Sequence, residues 1–128
     1  MWLRLTAAPL LLLSASGAVA ADMLPLAKGI YVVVRTPCKG ASNADTLSYW
    51  GNDNGINGSK TKCRITKLVK WAATFSLQRT CTEIHFNGSF NDEARITVRN
   101  RTWFISHARP EFGTPEQTYR YCGAKVQF

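Results

Sequence analysis

Acidic side chains are scarce in this chain. Its 128 residues carry 16 Lys and Arg against 8 Asp and Glu, a formal net charge of +8, with only 2 His. Paired carboxylates of the glycosidase kind are hard to build from so few acids. Of the seven between Asp45 and Glu116, six (Asp45, Asp53, Asp92, Glu93, Glu111 and Glu116) fall in expected loops or turns, and only Glu83 falls on an expected strand. No G-x-S-x-G element supports Ser–His–Asp chemistry. No C-x-x-C pair is present, and His85 and His107 are remote from each other, which argues against zinc. The Gly/Asn-rich stretch 51–59 has one charged ligand, Asp53, and lacks the closing Glu of an EF-hand, so it reads as turns around a very short strand at Ile56. No cofactor is called for. Amphipathic helices, internal repeats and low-complexity segments are also missing.

The one long apolar run lies at the start. Arg4, then Leu10–Leu13, then Ala18-Val19-Ala20 give the charge, apolar core and small-residue cleavage pattern of an export signal over residues 1–21. A membrane anchor is the alternative, but the run breaks at Ser14, Ser16 and Gly17. Residues 22–128 then form a single domain. They hold four cysteines, Cys38, Cys63, Cys81 and Cys122, an even number that in an exported chain reads as two disulfides.

The organising stretch is Lys60–Cys81, expected to be two strands joined by a turn near Trp71–Thr74. With Cys63 opposite Cys81, Ile65 faces Arg79, Lys67 faces Leu77 and Val69 faces Phe75. One face then carries Cys63, Ile65, Val69, Phe75, Leu77 and Cys81. The other carries Lys62, Arg64, Thr66, Ser76, Gln78 and Thr80. Lys67 and Arg79 violate the apolar side, and a bulge or snorkelling of their long stems is the expected repair. The remaining bridge is Cys38–Cys122. Further strands are expected at Gly29–Arg35, Thr46–Trp50, Thr82–Asn87, Ala94–Arg99, Thr102–His107 and Thr118–Cys122, the last extended by GAKVQF, with a polar turn over Asn87–Glu93. In the second hairpin, Ile96 and Val98 should meet Ile105 and Trp103 inside. The fold expected is all-β, a small antiparallel barrel or sandwich of about seven or eight short strands.

Two surface readings compete for the basic residues. Lys60, Lys62, Arg64, Lys67, Lys70 and Arg79 cluster on the first hairpin, and Arg95, Arg99, Arg101 and Arg109 on the second. They could be a solvated edge kept charged against strand pairing. They could equally bind a polyanion or an acidic protein, with Tyr49, Trp50 and Trp71 supplying stacking contacts.

The spacing of a G-x-Y strand, Cys38, a Gly/Asn turn, Cys63 in C-R-I, Cys81 after a Phe-x-Leu strand and a final Y-R-Y-C resembles functionally unassigned small exported β proteins of alphaproteobacteria. More distantly, the chain is similar to periplasmic inhibitors of lysozyme and proteases. The first resemblance implies a scaffold and no reaction. With the basic face and the distant likeness to inhibitors, the expectation is a non-enzymatic binding protein with an anionic ligand or protein partner in the cell envelope, inhibition of a hydrolase being one form of that binding. A rival reading comes from EIHFNGSF, ARITV and TWFISH, which resemble secreted ribonucleases of the barnase type. That resemblance implies Glu83 as base, Arg95 for phosphate and His107 as acid.

Overall fold

A computed structural model describes residues 21–127. The expected export signal, apart from Ala21, lies outside them. Seven antiparallel strands form one sheet: β1 (Gly29–Val33), β2 (Thr46–Tyr49), β3 (Thr61–Trp71), β4 (Thr74–Glu83), β5 (Phe90–Asn100), β6 (Trp103–Ala108) and β7 (Gln117–Tyr121). Their spatial order is β2-β1-β7-β6-β5-β4-β3, curled into a half-barrel. Two short 3-10 turns, Asn43–Asp45 and Pro110–Phe112, lie in the connections. The expected all-β class holds, and so do both disulfides, Cys38–Cys122 and Cys63–Cys81. Such bonds form in an oxidising compartment. Among the described residues no helix is long and apolar enough to cross a membrane.

Hydrophobic alternation sets which way each strand faces. Phe75, Leu77 and Cys81 of β4 are buried between exposed or half-buried Ser76, Gln78 and Thr82, as a pleated strand with one face on a core requires. The Cys63–Cys81 and Ile65–Arg79 pairs match the expected register. Beyond them a bulge at Thr66 shifts the pairing, so Lys67 faces Gln78, Leu68 faces Leu77 and Val69 faces Ser76. The extra residue turns Lys67 outward and Leu68 inward. It also leaves Val69, expected inside, 54% exposed.

Other expected boundaries move. The separate strand at Thr82–Asn87 does not form: β4 runs to Glu83 and the chain then turns. The turn expected over Asn87–Glu93 is instead shared with β5, which begins at Phe90. In the second hairpin Val98 faces Phe104 and Ile96 faces Ser106, one residue away from the expected register. The cause is local. Asn100 Oδ1 accepts from both the backbone N–H and the hydroxyl of Thr102, at 2.9 Å each. This Asx turn makes Arg101-Thr102 the loop and leaves Arg99 as a bulge. Phe104, in place of the expected Trp103 and Ile105, therefore points into the core and is fully buried. The expected extension of β7 does not form either. Residues 123–127 fold back, with Gln127 Nε2 donating to Cys122 O and Gly40 N–H donating to Gln127 O.

The strand edges do not gape. The linker between β2 and β3 bridges them: Ser48 exchanges both backbone hydrogen bonds with Asn57, while Gly55 N–H donates to Cys63 O and Ile65 N–H donates to Asp53 O. Gly55 is required there, since a Cβ would lie 2.8 Å from both Cys63 Cβ and Cys63 O.

Residues 22–28, given no role by sequence patterning, close one end. Leu24 and Leu26 are buried in the core with Tyr31, Tyr49, Phe104 and Tyr119. Tyrosine hydroxyls fasten the segment. Tyr49 donates to Leu24 O at 3.1 Å and accepts from Leu24 N–H at 3.2 Å. The Tyr31 hydroxyl donates to Ala27 O at 2.7 Å and lies 3.1 Å from Arg101 O. Tyr121 donates to Lys28 O. Gly29, at φ 149, lets the strand pass where a Cβ would sit 2.5 Å from Gly123 O.

Burial, reinforced by Tyr121 and Tyr49 nearby, pushes the pKa of the Tyr31 hydroxyl up to about 12. Burial also raises Tyr49, and it holds Tyr119 above its ordinary value with Asp45 adding to the effect. A raised folded value means that the fold favours the protonated hydroxyl. The stabilisation is therefore complete below pH ~10 and is lost as pH rises from there toward about 12. Unfolding free energy should fall steeply over that window, together with the appearance of tyrosinate absorbance. Ionisation of Tyr31, Tyr49 and Tyr119 near pH ~10 with stability unchanged would contradict the packing described.

Candidate functional site

The outer face of β3–β5 brings together four of the ten basic residues singled out by sequence: Lys62, Arg64, Lys67 and Arg95. Lys62 lies opposite Thr82, Arg64 opposite Thr80, and Lys67 opposite Gln78. These partners all belong to the outward-facing set of β4, so the three cations share one surface. They span roughly 15 Å at ~3.3 Å per residue. The next rows continue across the sheet. Ser76, the partner of Val69, faces Arg95, and Arg95 faces His107. Glu93, opposite Gln78, is the one acid in these rows. Arg64 also approaches Asp53 at 3.6 Å, with both side chains more than half exposed. An ion pair so open to water constrains the arginine little.

Several expected members stand apart, among them Arg79, which is buried on the inner side. Lys70 lies opposite Phe75, on the inward-facing set, and its ammonium sits 5.6 Å from the Phe75 ring centroid. The Thr66 bulge reverses its direction relative to Lys62 and Arg64. Tyr49, expected to supply stacking, is fully buried against Leu24. Trp50 is 47% exposed, but it follows β2, which is joined to β3 only through the intervening linker and lies outside the β3–β5 rows. Trp71 does project on the outer face at the hairpin end, 83% exposed.

The residues of the ribonuclease reading are only partly assembled. Arg95 and His107 are directly opposed. Glu83 ends β4, whereas Arg95 pairs with Ser76 of that strand, so Glu83 lies roughly 23 Å away at ~3.3 Å per residue. His107 Nε2 is 2.6 Å from Thr114 O, and since a carbonyl can only accept, that nitrogen carries the hydrogen and is already engaged. His85 lies exposed in the turn after β4, away from His107.

At the open end of the half-barrel, one violation of the apolar face is resolved differently from the expected bulge or snorkelling. Arg79 neither snorkels nor escapes by a bulge. Its side chain is 10% exposed and forms two 2.7 Å bonds to the carboxylate of Asp92, itself 5% exposed. A third donor reaches Gly55 O at 2.9 Å. Arg109 approaches the same carboxylate at 3.5 Å and stacks over the Phe90 ring. Sequence did carry a signal: a cation at an inward position of β4 requires a counter-charge. Cys63, Cys81 and Asp92 place possible metal ligand atoms within 4.8 Å of one another. The two sulfurs are joined in a disulfide and the carboxylate is paired with Arg79, so this donor set does not suit a metal.

Fold and surface together define a small disulfide-tied β half-barrel with a basic outer face. No protein-family model matches the chain, nor does any curated protein or solved structure.

Proposed function

We propose that the protein is a non-enzymatic binding protein of the periplasm or the secreted space, and that its outer β3–β5 face engages an anionic partner of the cell envelope. The observation that carries this reading is the alignment of Lys62, Arg64 and Lys67 on one surface opposite neutral Thr82, Thr80 and Gln78. Lys62 and Lys67 face no acid, and Arg64 has only its solvent-open pair with Asp53, so their charge is available to a partner. Arg95 extends the surface, and Trp71 adds an exposed aromatic face at its end.

Titration with heparin, as a polyanion of high charge density, tests the reading. Three engaged cations should give a slope of log K on log salt near about −3, so affinity should fall by more than ~10-fold between about 50 and 200 mM salt. The charge-reversed K62E/R64E/K67E form should lose both the affinity and the slope. Binding that is indifferent to salt, or unaltered in that variant, would refute the assignment.

A further inference from the structure

We propose that the open end of the half-barrel is a binding site for a small organic monoanion, a carboxylate carried on a compact apolar body. The two ends of the barrel differ in construction. One is filled by Leu24, Leu26 and the tyrosines. The other retains a cavity of about 200 Å³ whose apolar lining includes Leu47, Ile56, Ile96 and Ala108. An apolar cavity of ~150 Å³ accommodates benzene, so this one suits a body of about that size bearing one small polar group.

Charge selects the class. Arg79 and Arg109 both line the cavity, with Asp92 as the only carboxylate among its lining residues. Arg79 takes both oxygens of Asp92 in short bonds, whereas Arg109 has one contact at 3.5 Å to an oxygen already engaged. The site therefore holds one excess positive charge, on a guanidinium that is 44% exposed. A guanidinium presents paired donors that match a carboxylate. A cationic ligand would be repelled, and a neutral one would gain nothing from the charge on Arg109.

The backbone around the cavity agrees. Of four non-glycine residues with positive φ among those described, two line it: Ile56 at φ 62 and Arg109 at φ 50. Left-handed backbone is costly for a β-branched residue, and such residues cluster at ligand sites.

The test is NMR titration of the oxidised protein with benzoate, using benzyl alcohol and benzylamine as neutral and cationic analogues of similar size. Benzoate should bind saturably with Kd on the order of millimolar, as its size allows, and the two analogues should bind at least tenfold more weakly. Resonances of Ile96, Ala108 and Ile56 should move in the unaltered protein. Arg109→Gln should weaken benzoate at least tenfold, with Arg109→Lys intermediate. The K62E/R64E/K67E form should bind benzoate normally, and Arg109→Gln should bind heparin nearly normally, so the two sites can fail independently. Equal affinity for benzoate and benzyl alcohol would overturn the proposal. So would benzoate-induced shifts confined to the outer face, a result that does not depend on any variant folding.

Discussion

Replacing Asp92 with alanine should lower the unfolding free energy by about 3–5 kcal/mol, the cost of leaving a buried charge without its partner. Arg79 occupies an inward position of β4 between Leu77 and Cys81, both fully buried, and its side chain is only 10% exposed. Its counter-charge comes from Asp92, directly opposite on β5, and its remaining contacts from Gly55 O and, at 3.5 Å, Ile56 O in the β2–β3 linker. The pair therefore joins three segments at one point. Loss of the carboxylate should also loosen the linker, seen as faster hydrogen exchange at Gly55 and Ile65, whose N–H groups bond across it to β3 and back. The joint replacement Arg79→Met with Asp92→Leu removes both charges and should cost far less than Asp92→Ala alone. Urea unfolding followed by circular dichroism measures all three proteins. An Asp92→Ala penalty below about 1 kcal/mol would mean that Arg79 finds solvent after all.

The same pair shows where sequence reading stops. Alternation in β3 and β4 was legible because strand side chains point to opposite faces in strict turn, and the Cys63–Cys81 pair anchored the register. Arg79 was visible as a violation of that alternation. Its partner was not, because NDE at 91–93 has the composition of a turn while the structure makes it strand. The Thr66 and Arg99 bulges follow a similar logic. A single extra residue reverses every later side chain, and its position depends on contacts that no local pattern encodes. At Arg99 the deciding contact is the Asn100 side chain capping its own turn. On the outer face, only what lies past the bulge departs from expectation: Lys62 and Arg64 share the expected surface, and Lys70 does not. The role of residues 22–28 escaped because so short a segment makes no element of its own. It gains order only from the tyrosines that hold it.

Removal of the Cys38–Cys122 bridge by paired serine substitution should cost more than removal of Cys63–Cys81, about 4–5 against about 3 kcal/mol in the chain-entropy description. The sequence separations are 84 and 18. Topology widens the difference. Cys63 and Cys81 sit on adjacent strands of one hairpin, which its own ladder and side chains bring together. Cys38 follows β1 and Cys122 follows β7, and the β1–β7 ladder they flank has only three paired positions. Closing that ladder requires ordering nearly the whole chain between them, so the bridge spares the folding protein its largest loop-closure penalty. Because β1 also carries Tyr31, which fastens residues 22–28, loss of this bridge should loosen the closed end of the barrel first. Hydrogen exchange should then accelerate at Ala27, Ile30 and Cys122 before it does at Leu77 or Ile96. Denaturant unfolding of the two serine double variants settles the order of the penalties. A larger loss from the Cys63–Cys81 replacement would place the weak point of the fold in the hairpin rather than in the closure of the sheet.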